Sequence, residues 1–138
     1  MVGGIDMKAT ELMIGDWLRY SPKSISMNNN YGGLYRAEGV SQDTISLGAK
    51  NYRLVVSDKE IDPIPLTAEI LEKNGWRHDT TNHMYDIWLH EDVEFNIEKW
   101  NGKFICSDDN QIKLYSVHQL QQILRLCGLD GLADNFKV

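Results

Sequence analysis

IDPIPLTAEILEKNGW, residues 61–76, decides how the chain is organised. Pro63 and Pro65 remove two backbone donors and push Asp62 and Ile64 toward extended conformations, so residues 61–67 read as a short, stiff connector. Directly after it the pattern turns helical. Thr67 suits the N-cap, Glu69 lies in the first turn where the positive end of the helix dipole favours a carboxylate, and Gly75 suits the left-handed C′ position. This assignment makes Asn74 the C-cap, Leu71 C3 and Trp76 C″, and the last two are the pair that touches in a Schellman motif. A helix over 67–74 is too short to persist alone in water, so packing of Ile70 and Leu71 has to hold it.

Upstream of the connector the pattern is short strands with turn punctuation. Gly15-Asp16 launches WLRY (17–20), a long polar loop follows, and then come LYRAEGV (34–40), TISLG (44–48) and YRLVV (52–56). Gly39 marks a bend, the Ser41 to Asp43 turn makes a hairpin, and IDPI supplies a short closing strand. These pieces predict a small SH3-like β-barrel over residues 1–62.

Downstream, residues 63–138 predict an α+β unit. Its strands are HMYDIWLH (83–90), VEFNIEKW (93–100), KFICS (103–107) and QIKLY (111–115), separated by turn-type sequences. The strongest of these is Asn101-Gly102, where both residues tolerate the positive φ of a type I′ hairpin. Val93, Phe95 and Ile97 alternate with Glu94, Asn96 and Glu98, the mark of one buried and one wet face. A helix over 116–127 follows, capped by Ser116 and stopped by Gly128. Its apolar stripe is Val117, Leu120, Ile123, Leu124 and Cys127, with His118, Gln119, Gln122 and Arg125 falling away from it. The expected fold class is therefore mainly β within α+β: the barrel, then an antiparallel meander packed by a C-terminal helix. The last ten residues, LDGLADNFKV, are weakly patterned and are expected to fray.

Composition bounds the function. The 138 residues are 42% hydrophobic and 25% charged, ordinary values for a folded chain, and the net charge is −6. Residues 1–66 carry seven basic and eight acidic side chains, whereas residues 67–138 carry seven and twelve, so the acidity belongs to the second half. That balance disfavours non-specific binding to nucleic acid or anionic membrane. No stretch approaches the roughly 20 apolar residues that span a bilayer, and MVGGIDMKATELMIG has no leader character, which predicts a cytoplasmic protein. Cys106 and Cys127 sit in apolar runs and read as reduced core residues.

Three segments, KATELMIGDWLRY (8–20), IDPIPLTAEILEKNGW (61–76) and VHQLQQILRLCGLD (117–130), occur in an order that resembles a family of short proteins met in Bacteroidales genomes and in their phages or other mobile elements. Its members begin near an M-K-x-x-E-L-x-I-G-D-W pattern, and Met7-Lys8 stands at that position here. The resemblance implies a bacterial or phage cytoplasmic setting and carries no assigned activity. Gly15, the proline pair and the helical stripe in these segments each read equally well as fold determinants.

Reactive constellations are weak. His78-Asp79 with His83 offers two imidazoles and a carboxylate, ligands suited to zinc or ferrous iron, but HDTTNH is also an ordinary polar turn. His90-Glu91-Asp92 has acid–base residue types, yet His90 and Glu91 point to opposite faces of a strand. Asp108-Asp109-Asn110 lacks the spaced ligands of a calcium loop. No GxSxG, GxxxxGK[ST] or GxGxxG is present, and His118 and Cys127 on one helix stand about 13 Å apart along its axis. No catalytic residue, metal ligand or cofactor is assigned.

The loop SPKSISMNNNYGG (21–33) is the most informative for binding. It carries Tyr31, precedes Tyr35 and Arg36 on the next strand, and follows Trp17 and Tyr20, an arrangement suited to an aromatic groove for an extended peptide. These five residues form the candidate binding set. The favoured reading is a non-enzymatic interaction module or accessory factor of a phage or mobile element, with another protein or a peptide as partner. One alternative is an acidic mimic of nucleic-acid charge that blocks a host DNA-binding protein. The other is a metal-dependent enzyme using His78, Asp79, His83 or His90.

Overall fold

The computed structural model describes residues 7–22, 32–48, 53–81, 83–107 and 112–138. Two antiparallel sheets and helices make an α+β protein in two compact units, Met1–Ile64 and Pro65–Val138.

In the first unit a 3-10 turn at Ala9–Glu11 precedes strands β1 (Trp17–Tyr20), β2 (Gly33–Val40), β3 (Thr44–Gly48) and β4 (Arg53–Ser57). A second 3-10 turn, Asp58–Glu60, leads into β5 (Ile61–Asp62). The sheet order is β4-β3-β2-β1-β5, so the first strand is flanked by the second and the last. The Met13 to Asp16 turn explains the start of β1. Gly15 takes a φ of 95°, and the buried Asp16 carboxylate accepts the Met13 N–H at 2.8 Å. Gly15 and Asp16 also bond the backbone of Ala37 on β2, which sets the register between the turn and the sheet. Between Ala37 and Gly39 the β2–β3 register shifts by a bulge, the bend that Gly39 led one to expect. Leu18, Tyr20, Ala37, Ile45, Leu47, Val56 and Ile61 pack into one core with Met7, Ala9 and Leu12.

The second unit begins with α1 (Ala68–Lys73). Thr67 Oγ1 accepts the Ile70 N–H at 3.2 Å; Trp76 N–H reaches Leu71 O at 3.0 Å and Gly75 N–H reaches Glu72 O at 3.2 Å, the two bonds of a Schellman motif. Leu71 and Trp76 are both buried. The sheet runs β6 (Arg77–His78), β7 (Ile87–Leu89), β8 (Ile97–Trp100), β9 (Lys103–Cys106) in sequence order. Its β8–β9 hairpin turns on Asn101 and Gly102, at φ 52° and 78°. Helices α2 (Val117–Leu126) and α3 (Asp130–Asp134) complete the unit.

Several expectations are corrected here. Residues 83–86 are not strand: Asp79 turns the chain by accepting the Thr81 N–H at 3.0 Å and its hydroxyl at 2.6 Å, and Asp79 N–H bonds Ile87 O. On its other side from β8, β7 pairs with the two-residue β6. Residues 93–96 also lie outside the ladder, because β7 pairs with β8 only at Ile87 and Trp88 and reaches no further. Val93, Phe95 and Ile97 are nonetheless all buried, so the alternation is real without being a full strand. Within 111–115 the pairing of the described residues is a single bridge between Lys113 and Ile105.

The last helix is rotated from the expected stripe. Its buried residues are Val117, His118, Leu120, Gln121 and Leu124, while Cys127, as C-cap, is exposed. The cause is the tail expected to fray. α3 packs on α2, its Ala133 carbonyl accepts from Gln121 Nε2 at 3.0 Å, and Ala133 and Phe136 are buried. His118 is accommodated by a 3.0 Å bond between its Nδ1 and Ser116 Oγ.

Candidate functional site

Strand alternation sorts the candidate binding residues. On β1 and β2 the register pairs Trp17 with Arg36, Leu18 with Tyr35, Arg19 with Leu34 and Tyr20 with Gly33. Leu18, Tyr20 and Tyr35 therefore share the core side, and Trp17, Arg19, Leu34 and Arg36 share the opposite side. Tyr20 is 2% exposed and meets Tyr35 edge-on at 6.2 Å. Its pKa is raised, first by burial of the phenol and then by the charge of Glu60, to which the hydroxyl is also hydrogen-bonded. The set is thus divided: Tyr20 belongs to the core, Tyr35 packs half-buried against it, and Trp17 and Arg36 lie together on the outer face. Tyr31 falls outside the described residues.

The outer face carries binding chemistry. The Arg36 guanidinium carbon sits 4.9 Å from the centre of the Trp17 ring, a cation–π contact between the paired positions of β1 and β2. Leu34, 44% exposed, is diagonal to Trp17, and Arg19 stands beside it. Further along the face are Arg53 and Val55 on β4, with Val55 66% exposed. Among the described residues, three arginines thus share this face with two carboxylates, Glu38, paired to Arg53 at 3.4 Å, and Asp62, in register with Arg19. Arg19, Leu34 and Arg53 were not singled out in the sequence. The period-two pattern of WLRY and GLYR carried the signal, because residues 17 and 19 must point together.

The histidine constellations come apart. His78 is hydrogen-bonded to Asp86 and stacked on Trp88 at 4.8 Å, whereas Asp79 is engaged by Thr81 and His83 is exposed. His90 Nδ1 accepts the Asp92 N–H at 3.0 Å, so this cluster is built as a turn. Among the described residues no group of three or more His, Cys, Asp or Glu side chains converges. Among them, too, no helix is long and apolar enough to cross a membrane. No protein-family model, curated protein or solved structure matches the chain.

Proposed function

We propose that the protein is a non-enzymatic interaction module, an accessory factor of a phage or mobile element working in the cytoplasm, that docks an extended peptide on the outer face of β1 and β2. The observation that carries this reading is the Trp17–Arg36 contact with Leu34 exposed beside it. Tryptophan and arginine dominate binding energy at interfaces because each offers a large contact area with a directed polar group. The excess of arginine over carboxylate on this face favours a peptide that carries acidic side chains.

The first unit is read as a closed SH3-like barrel. In support, β1 is flanked by β2 and β5, the β1–β2 connection is long, and a 3-10 turn directly precedes β5. Selection of displayed random peptides on the immobilised chain tests the function. Acidic peptides with an apolar anchor are expected to be enriched, and Trp17→Ala or Arg36→Ala is expected to weaken them by about tenfold or more with the circular dichroism unchanged. Binding that survives both substitutions refutes the assignment.

A further inference from the structure

The second unit holds a pocket of about 260 Å³, half open to solvent, between the end of α1, His90 and the α2–α3 region. Its floor is apolar: Trp76, Leu124 and Phe136 are all buried, and the Trp76 ring meets His90 edge-on at 5.3 Å. Lys73 and Lys137 also line it, and among the described residues no carboxylate side chain does, although the second half of the chain has net charge −5. Neither lysine forms an ion pair among the described residues.

Two further features organise this lining. Asn74 Oδ1 accepts the Lys137 N–H and Asn74 Nδ2 donates to the Lys137 carbonyl, both at 2.8 Å. The side-chain amide thus holds the Lys137 backbone as a neighbouring strand would, and the order of that lysine does not have to be created on binding. His90 Nδ1 is occupied as an acceptor of the Asp92 N–H, which leaves the proton of the neutral ring on Nε2. That nitrogen lies against Gly75, 3.0 Å from where a Cβ would stand.

We propose that this cavity binds a small aromatic carboxylate. Its ring lies against Trp76, Leu124 and Phe136, and its carboxylate accepts from His90 Nε2–H within reach of the Lys73 and Lys137 ammonium groups. The volume sets the size: a cavity of about 150 Å³ holds benzene, so 260 Å³ accommodates one ring with a short carboxylate arm. The charge sets the class, because two lysine cations beside an imidazole stabilise an anion and gain little from an alcohol.

Sodium phenylacetate, titrated into the full chain and followed by amide chemical shifts, tests this. Saturable shifts centred on Gly75, Trp76 and Lys137 are expected, with 2-phenylethanol and acetate each binding about tenfold more weakly. The exposed pair Lys73→Met with Lys137→Met is expected to weaken phenylacetate by about tenfold while leaving the other resonances in place. Should that variant fold poorly, the comparison of phenylacetate with 2-phenylethanol on the native chain decides alone. Absence of a saturable shift at these amides, equal affinity for the alcohol, or undiminished affinity in a folded double variant overturns the proposal.

Discussion

Glu38 on β2 reaches Arg53 on β4 across the intervening strand, 3.4 Å between Oε2 and Nη2, by laying its carboxylate over Gly48. The register places Arg36, Gly48 and Arg53 in one row, and a Cβ on Gly48 would overlap the Glu38 side chain. Both charged groups are well exposed, so the pair contributes at most about 1 kcal/mol.

Gly48→Ala is therefore expected to change stability little, because two effects oppose each other. Alanine restricts the unfolded chain and favours the strand by about 0.5–1 kcal/mol, while the flexible Glu38 must swing away and lose its partner. In a Glu38→Ala background only the gain remains, so there Gly48→Ala should stabilise. Urea melts of the four chains of this double-mutant cycle check the coupling, and equal effects in both backgrounds would sink it.

Asp16 supports the turn that aims β1. With its carboxylate buried and accepting the Met13 N–H, Asp16→Ala leaves that donor without its acceptor and should cost about 1–3 kcal/mol. Asp16→Asn keeps an oxygen at the same place and should recover a large part of the loss. Chemical denaturation of the two variants measures the difference, and indistinguishable midpoints would refute it.

Tyr20 makes the fold sensitive to alkali. Its folded pKa lies above the ordinary tyrosine value of 10.0, because ionisation would place a charge in the core beside Glu60. Above about pH 10 the unfolded chain loses the proton first, so the native state binds more protons and stability falls as pH rises. The contribution is complete below pH 10. Tyr20→Phe should flatten this alkaline limb in denaturation series between neutral pH and pH 11, whatever its effect at neutral pH.

The segment from Thr67 to Trp76 was readable in full because cap, dipole, glycine and apolar pair are all local signals within ten residues. The Asn101-Gly102 hairpin was readable for the same reason. What the pattern hid depends on distant partners. The His78–Asp86 pair closes a loop across eight residues, and the buried Gln121 gives its amide to a carbonyl twelve residues later. Trp17 and Tyr20 were grouped by proximity in sequence, yet three positions along a strand reverse the face, so one of them is core and the other surface.

Gln121 ties α3 to α2. α3 has five residues, far too few to be stable as an isolated helix, so its order depends on what α2 offers it. The Gln121 side chain is fully buried and donates to Ala133 O. Gln121→Leu keeps much of the volume and removes that donor, at an expected cost of about 0.5–1.5 kcal/mol, because the Ala133 carbonyl still accepts the Phe136 N–H at 3.3 Å. The loss should appear first where stability is lowest. In hydrogen exchange, the amides of Ala133, Asn135 and Phe136, which bond within α3 and its end, should exchange markedly faster, while those in the middle of α2 change less. Equal acceleration of both helices would mean that Gln121 supports the whole unit rather than the docking of α3.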